Sequence, residues 1–108
     1  MKNYIRLNNN LYNFSLNSNL IKYTYCSSND ITFAGGATTA GQVIATGALS
    51  VDSSTQILGA SLRPQAYADR YYVCVTSTNQ HTVYFVLMAR GTYTNPFTTQ
   101  VQGYVLYI

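Results

Sequence analysis

Charged side chains are scarce in this 108-residue chain. They make up 8% of the sequence, against about 25% in an ordinary soluble domain. A coiled coil needs many Glu, Lys and Arg beside its apolar seam, and a disordered tail needs low hydrophobicity with strong self-repulsion. Neither fits a chain that is 47% hydrophobic and has a formal net charge of only +3. Neutral Thr, Asn, Ser and Gln supply its polarity instead.

Clustered positive charge is also missing. The pI near 9.0 reflects a shortage of acid, because only three Asp oppose six cations and no two cations are adjacent in sequence. Binding to a phosphate backbone depends on several Lys and Arg that lie on one face and release counterions together. We therefore predict no nucleic-acid partner.

The chain has no long apolar run. Its longest, residues 83–89, is far shorter than the about 20 residues that a membrane-spanning helix requires. Lys2 is followed within a few residues by polar Asn8, Asn9 and Asn10, where a secretory signal would need an apolar segment. We expect no membrane insertion and synthesis in a cytoplasm.

Only two cysteines are present, and they lack the spacing of a redox or metal motif. In a reducing compartment, Cys26 and Cys74 are expected to be free thiols, with a disulfide between them as the alternative. Together with His81 and one Asp, they offer no pair of residues at metal-ligand spacing. We predict no metal site and no cofactor.

Apolar residues alternate with polar ones in most of the chain, which is typical of strands with one buried face. The clearest runs contain Ile21, Tyr23 and Tyr25, and Tyr71, Val73 and Val75, while the last strand, which begins at residue 101, becomes apolar on both faces in its second half. Turn-forming clusters recur about every 8–12 residues, as in sandwiches and barrels. We predict an all-β fold, an antiparallel β-sandwich that is jelly-roll-like, with eight or nine strands in a single domain spanning residues 1–108. The last strand should be central or buried in an interface.

Two segments break this pattern. Residues 59–70 are polar and contain Pro64, so we predict a surface excursion with one helical turn over residues 65–68. Residues 34–41 are rich in Gly, Ala and Thr, and we favour a flexible loop there over a bend in a strand.

Residues suited to catalysis are few. The three carboxylates are Asp30, Asp52 and Asp69, and the first two lie beside turn-forming residues, where Asp usually caps a turn. The only histidine, His81, lies in a polar segment between two apolar strands, which predicts an exposed hairpin residue. No Gly-x-Ser-x-Gly elbow is present to display a nucleophile. We predict no catalytic residue and no enzyme, unless Asp52 or Asp69 meets His81 in one pocket.

Tyrosine is unusually abundant, with 11 copies. Its ring covers apolar surface while its hydroxyl stays hydrogen-bonded, which suits interfaces and ligand contacts. Two tyrosines fall in segments that resemble loops, near charged and amide side chains. The candidate ligand-binding residues are therefore Tyr67, Asp69, Arg70, His81, Tyr93 and Asn95. For each tyrosine, a packed or simply exposed loop position is the alternative.

The order of elements from Gly41 onward resembles a known family. The motifs are Gly-Gln-Val-Ile-Ala-Thr at 41–46, Leu-Arg-Pro at 62–64, the strand at 71–75, Asn-Gln at 79–80 and the apolar strand at 83–87. They are similar to the C-terminal modules of bacteriophage tail-fibre, baseplate and other virion structural proteins. The final Val-Gln-Gly-Tyr-Val-Leu at 101–106 resembles the last strand of trimeric jelly-roll heads, which packs near the threefold axis.

This resemblance implies a homotrimeric viral protein, structural or receptor-binding, that contacts other virion proteins and host-surface glycans. It implies localisation in the virion, with assembly in the host cytoplasm. The alternative, from the binding class, is a free carbohydrate-binding, lectin-like domain that uses Tyr and Asn loops.

Overall fold

The computed structural model describes residues 4–7, 10–13 and 20–108. Within these ranges the chain forms strands, turns and loops and no helix. The strands are β1 (Tyr4–Leu7), β2 (Asn10–Asn13), β3 (Lys22–Ser27), β4 (Ile31–Phe33), β5 (Val43–Ser50), β6 (Ile57–Pro64), β7 (Tyr71–Thr78), β8 (Thr82–Ala89), β9 (Phe97–Thr99) and β10 (Val101–Tyr107). All pairings are antiparallel. The predicted all-β antiparallel class is confirmed, and eight of these strands lie between residues 22 and 107.

Two three-stranded sheets form the body of the protein. The first sheet has the order β3-β10-β6 and the second has the order β5-β8-β7, while β4 pairs with β9 and β1 with β2. The last strand, β10, is therefore central in its sheet, as its two-sided apolar pattern predicted. Strand β8, the other long apolar run, is central in the second sheet.

The core lies between the inner faces of these two sheets. From the first sheet it takes Ile57, Val101 and Val105, and from the second it takes Val83 and Phe85, each 4% exposed or less. Side chains of a strand point alternately to opposite faces, so Val83 and Phe85 of β8 and Val101 and Val105 of β10 enter this core from alternate positions. The buried faces confirm a β-sandwich.

The strand pairing is nested. Strand β3 pairs with β10, β4 with β9 and β5 with β8. Each strand pair thus encloses the next pair along the sequence. Strand β6 then joins β10, and β7 joins β8. As a result, Cys26 and Gly103, which are far apart in sequence, are register partners in neighbouring strands. The jelly-roll connectivity stays a prediction.

The predicted excursion over residues 59–70 is wrong for its first half. Residues 59–64 belong to β6, an edge strand whose Ala60 and Leu62 pack against the core. Small Gly59 and Ser61 weaken the strand signal in the sequence. Pro64 is tolerated at the end of an edge strand because one side of that strand needs no hydrogen-bond donor.

Only residues 65–70 form a connecting loop, and it contains a turn in place of the predicted helical turn at 65–68. The Tyr67 carbonyl accepts hydrogen bonds from the amides of Arg70 (2.9 Å) and Tyr71 (3.0 Å). The predicted loop at residues 34–41 is confirmed between β4 and β5.

The close approach of β10 to β6 requires a glycine at position 103. A Cβ atom on Gly103 would overlap the Ser61 carbonyl oxygen and lie 2.9 Å from the Leu62 Cα. Both obstacles are backbone atoms of a paired strand, so neither can rotate away. By contrast, a Cβ on Gly59, in the same sheet, would meet nothing within 4 Å.

We expect Gly103→Ala to lower the free energy of unfolding by at least about 2 kcal/mol, because overpacking forces paired backbones apart. Urea unfolding followed by circular dichroism measures this loss. Gly59→Ala is the matched control and should change the stability little. Equal stabilities of the two variants would contradict the assigned β6–β10 register.

Candidate functional site: the aromatic-arginine cluster

Aromatic rings gather around Tyr71 at the start of β7. Tyr71 is 2% exposed and stacks on Phe97 with ring centroids 4.5 Å apart and an interplanar angle of 27°. It also lies 5.5 Å from the Tyr93 ring and 6.4 Å from the Phe33 ring. Offset and tilted ring pairs of this kind contribute about 0.5–1.5 kcal/mol each beyond area burial. We call Tyr67, Arg70, Tyr71, Tyr93 and Phe97 the aromatic-arginine cluster.

Strand pairing and one buried threonine position these rings. Phe33 in β4 is the register partner of Phe97 in β9. Thr38, 3% exposed, donates its hydroxyl to the Gly91 carbonyl (2.6 Å) and accepts from the Tyr93 amide (2.9 Å). The loop at residues 34–42 therefore fixes the backbone at Tyr93.

The loop at residues 65–70 is anchored by hydrogen bonds to residues 99 and 100. The Gln65 amide donates to the Gln100 carbonyl (2.8 Å), and the Ala66 amide donates to the hydroxyl of buried Thr99 (3.0 Å). Tyr67 follows with a φ of +59°, a left-handed conformation that costs a non-glycine residue energy and is enriched at functional sites. Its ring contacts Phe97 edge-on at 5.4 Å and remains 48% exposed.

Arg70 supplies the positive charge of the cluster. Its guanidinium lies 5.3 Å from the centroid of the Tyr67 ring and 5.4 Å from that of Tyr93. A cation at this distance from the face of a ring is attracted by the ring's quadrupole. Arg70 therefore links the two tyrosines that the sequence singled out, although they lie on different loops.

Four of the six predicted ligand-binding residues come together here. Tyr67, Arg70 and Asn95 line one pocket, and Tyr93 adjoins it through Arg70. Asp69 is exposed beside Arg70 and is not among the pocket-lining residues.

His81 does not belong to this group. It lies in the turn beyond the Thr78–Val83 pair, whereas Tyr71 pairs with Ala89 at the other end of the same hairpin. Seven residues of strand separate the two ends by about 24 Å.

The pocket itself is small. Its volume is ≈ 20 Å³, which holds roughly one water molecule. A molecule larger than water would therefore contact only the exposed rim. There, Tyr67 presents an aromatic ring, and Arg70 and Asn95 present hydrogen-bonding groups.

The surroundings of His81 are those of a turn, and the predicted exposed hairpin position is confirmed. Its amide donates to the Asn79 side-chain oxygen (3.0 Å), and its carbonyl accepts from the Val51 amide (2.7 Å). Its Nδ1 lies 3.5 Å from the hydroxyl of Ser54. That hydroxyl is within donating distance of the Val51 and Gln80 carbonyls, and Ser54 is 2% exposed. The buried Ser54 hydroxyl therefore connects the turn that follows β5 to the turn between β7 and β8.

The cysteines are free, as predicted. Cys26 and Cys74 are half-buried thiols on different sheets. Burial raises the pKa of the Cys26 thiol, and a hydrogen bond with Thr24 opposes that rise. Within the described part of the chain, no three His, Cys, Asp or Glu side chains lie together as a metal site would require. The same residues include no helix of the length and apolarity needed to cross a bilayer.

Two further surfaces became visible only in the structure. The outer face of the first sheet exposes Tyr23, Tyr25, Tyr104 and Leu106, and we call it the outer tyrosine face. A cleft of ≈ 110 Å³ opens between β6 and β7 and has Arg63 and Arg90 in its lining. The sequence signal for the cleft was that three of the six cations fall within residues 63–90.

Comparisons with family models, curated proteins and solved structures found no match to this chain.

The pKa shifts predict a loss of stability at alkaline pH. Burial raises the pKa of Tyr71, with the charge of Arg70 opposing the rise, and burial likewise raises that of Cys26. The folded state thus holds both protons more tightly than the unfolded state. Their contribution is complete below the unfolded pKa values of about 8.5 for Cys and about 10 for Tyr, and it is lost as pH rises through the folded values.

We expect Tyr71→Phe to reduce the fall in Tm above about pH 10, and Cys26→Ala to reduce the part that begins near about pH 8.5. Thermal unfolding followed by circular dichroism between neutral and strongly alkaline pH gives both slopes. Slopes identical to that of the wild type would show that neither group is linked to folding.

Proposed function

We propose that this chain is a non-enzymatic structural or host-attachment module of a virion, of the bacteriophage tail-fibre or baseplate kind. It acts as a homo-oligomer, with three copies favoured. It contacts other virion proteins and is assembled in the host cytoplasm. The observation that supports this most is the uncovered apolar face of the first sheet.

The side chains of the outer tyrosine face are exposed and adjoin one another. Tyr23 is 73% exposed, Tyr104 51% and Leu106 43%. Strand register places Tyr104 opposite Tyr25 and Leu106 opposite Tyr23. The Tyr104 ring meets the rings of Tyr25 (5.0 Å) and Tyr23 (5.9 Å) edge-on. An antiparallel sheet with one face in water usually presents polar side chains there, so this face favours a partner.

The chemistry of the face favours a second copy of the same chain. Across β10, its neighbours in register on β6 are Ser61, opposite Tyr104, and Gly59, opposite Leu106. None of these positions is charged, and the next register position along the face, Arg63 opposite Gln102, lies at its end beside the cleft between β6 and β7. Tyrosine is enriched at protein interfaces, and closed symmetric assemblies are the commonest oligomers. Scarce charge throughout the chain suits the same arrangement.

The virion assignment rests on the family resemblance of residues 41–108 and on this face together. The aromatic-arginine cluster lies at the turn that precedes β7, on loops that the outer tyrosine face does not include. A symmetric assembly formed through the first sheet would therefore leave it free to contact a host glycan.

Light scattering at micromolar concentration tests the assembly. We expect a mass near three times 12.0 kDa, and we expect Tyr104→Lys to produce monomers because it places a charge inside the interface. Tyr84→Lys is the matched control, since Tyr84 is 43% exposed on the second sheet. A wild-type protein that stays monomeric at this concentration would overturn the proposal.

The aromatic-arginine cluster favours a second candidate, a free carbohydrate-binding, lectin-like domain. For either role, we expect Tyr67→Ala and Tyr93→Ala to weaken glycan binding by about tenfold, which equals about 1.4 kcal/mol. A glycan array followed by calorimetry on the best ligand measures this. His81→Ala is the distant control. A monomer that binds glycans would select the lectin, and binding unaffected by both tyrosine variants would remove the cluster as the site.

A further inference from the structure

Two arginines face one cleft between the edge strands of the two sheets. Strands β6 and β7 run beside each other without hydrogen bonding. The space between them, ≈ 110 Å³, is lined by residues that include Leu62, Arg63, Pro64, Tyr72, Val73 and Arg90. Arg63 and Arg90 are exposed at its opening.

Arg90 is held in place by neutral partners. Its Nε donates to the Ala68 carbonyl (3.3 Å), and its guanidinium lies 4.9 Å from the centroid of the Tyr72 ring. Its amide donates to the Arg70 carbonyl (2.8 Å). These contacts orient the guanidinium and leave its terminal N–H groups available for an acceptor.

The charge at this cleft is unbalanced. No carboxylate is among its lining residues. Of the four cations within residues 20–108, three are the arginines at positions 63, 70 and 90, and the fourth is Lys22. Two like charges beside one cleft repel each other, and an anion between them would relieve that repulsion. A guanidinium is also the side chain that binds carboxylate and sulfate groups in a bidentate manner.

We propose that this cleft binds the carboxylate or sulfate group of an acidic surface glycan. The identity of the larger molecule rests on the attachment role proposed above, whereas the anion site rests on the cleft. The volume has room for several water molecules, hence for one acidic group. Tyr71 lines both this cleft and the pocket of the aromatic-arginine cluster. A single glycan can therefore place its acidic group in the cleft and a neighbouring sugar ring on Tyr67.

Calorimetry with three probes tests this inference: sialyllactose for the carboxylate, a sulfated disaccharide for the sulfate and lactose as the neutral control. We expect one or both acidic probes to bind at least tenfold more tightly than lactose, with an affinity that falls as salt is added. Arg63→Gln and Arg90→Gln should each remove at least tenfold of that affinity. Lys22→Gln makes the same charge change about 17 Å away along β10 and should have no effect.

Three outcomes would overturn the inference. If Lys22→Gln lost as much affinity for the acidic probes as the arginine variants do, the attraction would be to net charge alone. If lactose bound as tightly as the acidic probes, the acidic group would not be recognised. Tighter binding of a DNA duplex with the same arginine dependence would assign a phosphate backbone in place of a glycan. Thermal unfolding confirms that each variant folds. The oligomer mass is measured in a separate experiment. A failure of the acidic probes to bind would therefore not contradict the proposed assembly, and the anion site can be tested even if the protein is monomeric.

Discussion

The structure depends on strand β10, which is hydrogen-bonded to a neighbouring strand at both edges and packed against the core on its inner face. Its backbone pairs with β3 on one side and β6 on the other. Val101 and Val105 are fully buried against the second sheet. Gly103 between them lets the β6 backbone approach more closely than any side chain would allow. With no free edge and no free inner face, β10 fixes the register of two strands that are distant in sequence.

Tyr71 connects the buried core to the candidate site. Its ring packs with Leu87 and Ala89 in a second buried cluster, and it lies against Phe97 and Tyr93. The rings that a ligand would meet therefore rest on buried strand residues, although Tyr67 and Tyr93 themselves belong to loops. Sites supported by packed elements keep their geometry better than sites on loops alone. The strained backbone of Tyr67 persists because the hydrogen bonds of Gln65 and Ala66 anchor its loop.

Much of the fold could be predicted from the sequence, because alternation is a direct consequence of one buried face. Strands β7, β8 and β10 and the loop at 34–41 follow from that pattern. Strand β6 could not be predicted, since Gly59, Ala60 and Ser61 resemble a loop and only pairing with β10 makes them a strand. The alternation of apolar and polar residues identifies a strand but does not determine which strand pairs with it. The nested pairing order is therefore evident only from the structure.

The candidate site divides in the same way. Tyr67, Arg70, Tyr93 and Asn95 were predicted because tyrosines beside polar residues in loops are visible in one dimension. Arg63 and Arg90 were not, because 27 positions separate them and only the adjacency of β6 and β7 brings them to one cleft. Chemistry alone groups His81 with the other candidates, and the β7–β8 hairpin places it at the opposite end from Tyr71.

The nested pairing also bears on how the protein is made. Strand β10 comes later in the chain than β3 and β6 and lies between them in the sheet, so these two strands have no partner in that sheet until β10 has been synthesised. The second sheet uses only β5, β7 and β8 and can assemble earlier. Until then, the edges of β3 and β6 that pair with β10 stay open, and unpaired strand edges of this kind favour aggregation of a nascent chain.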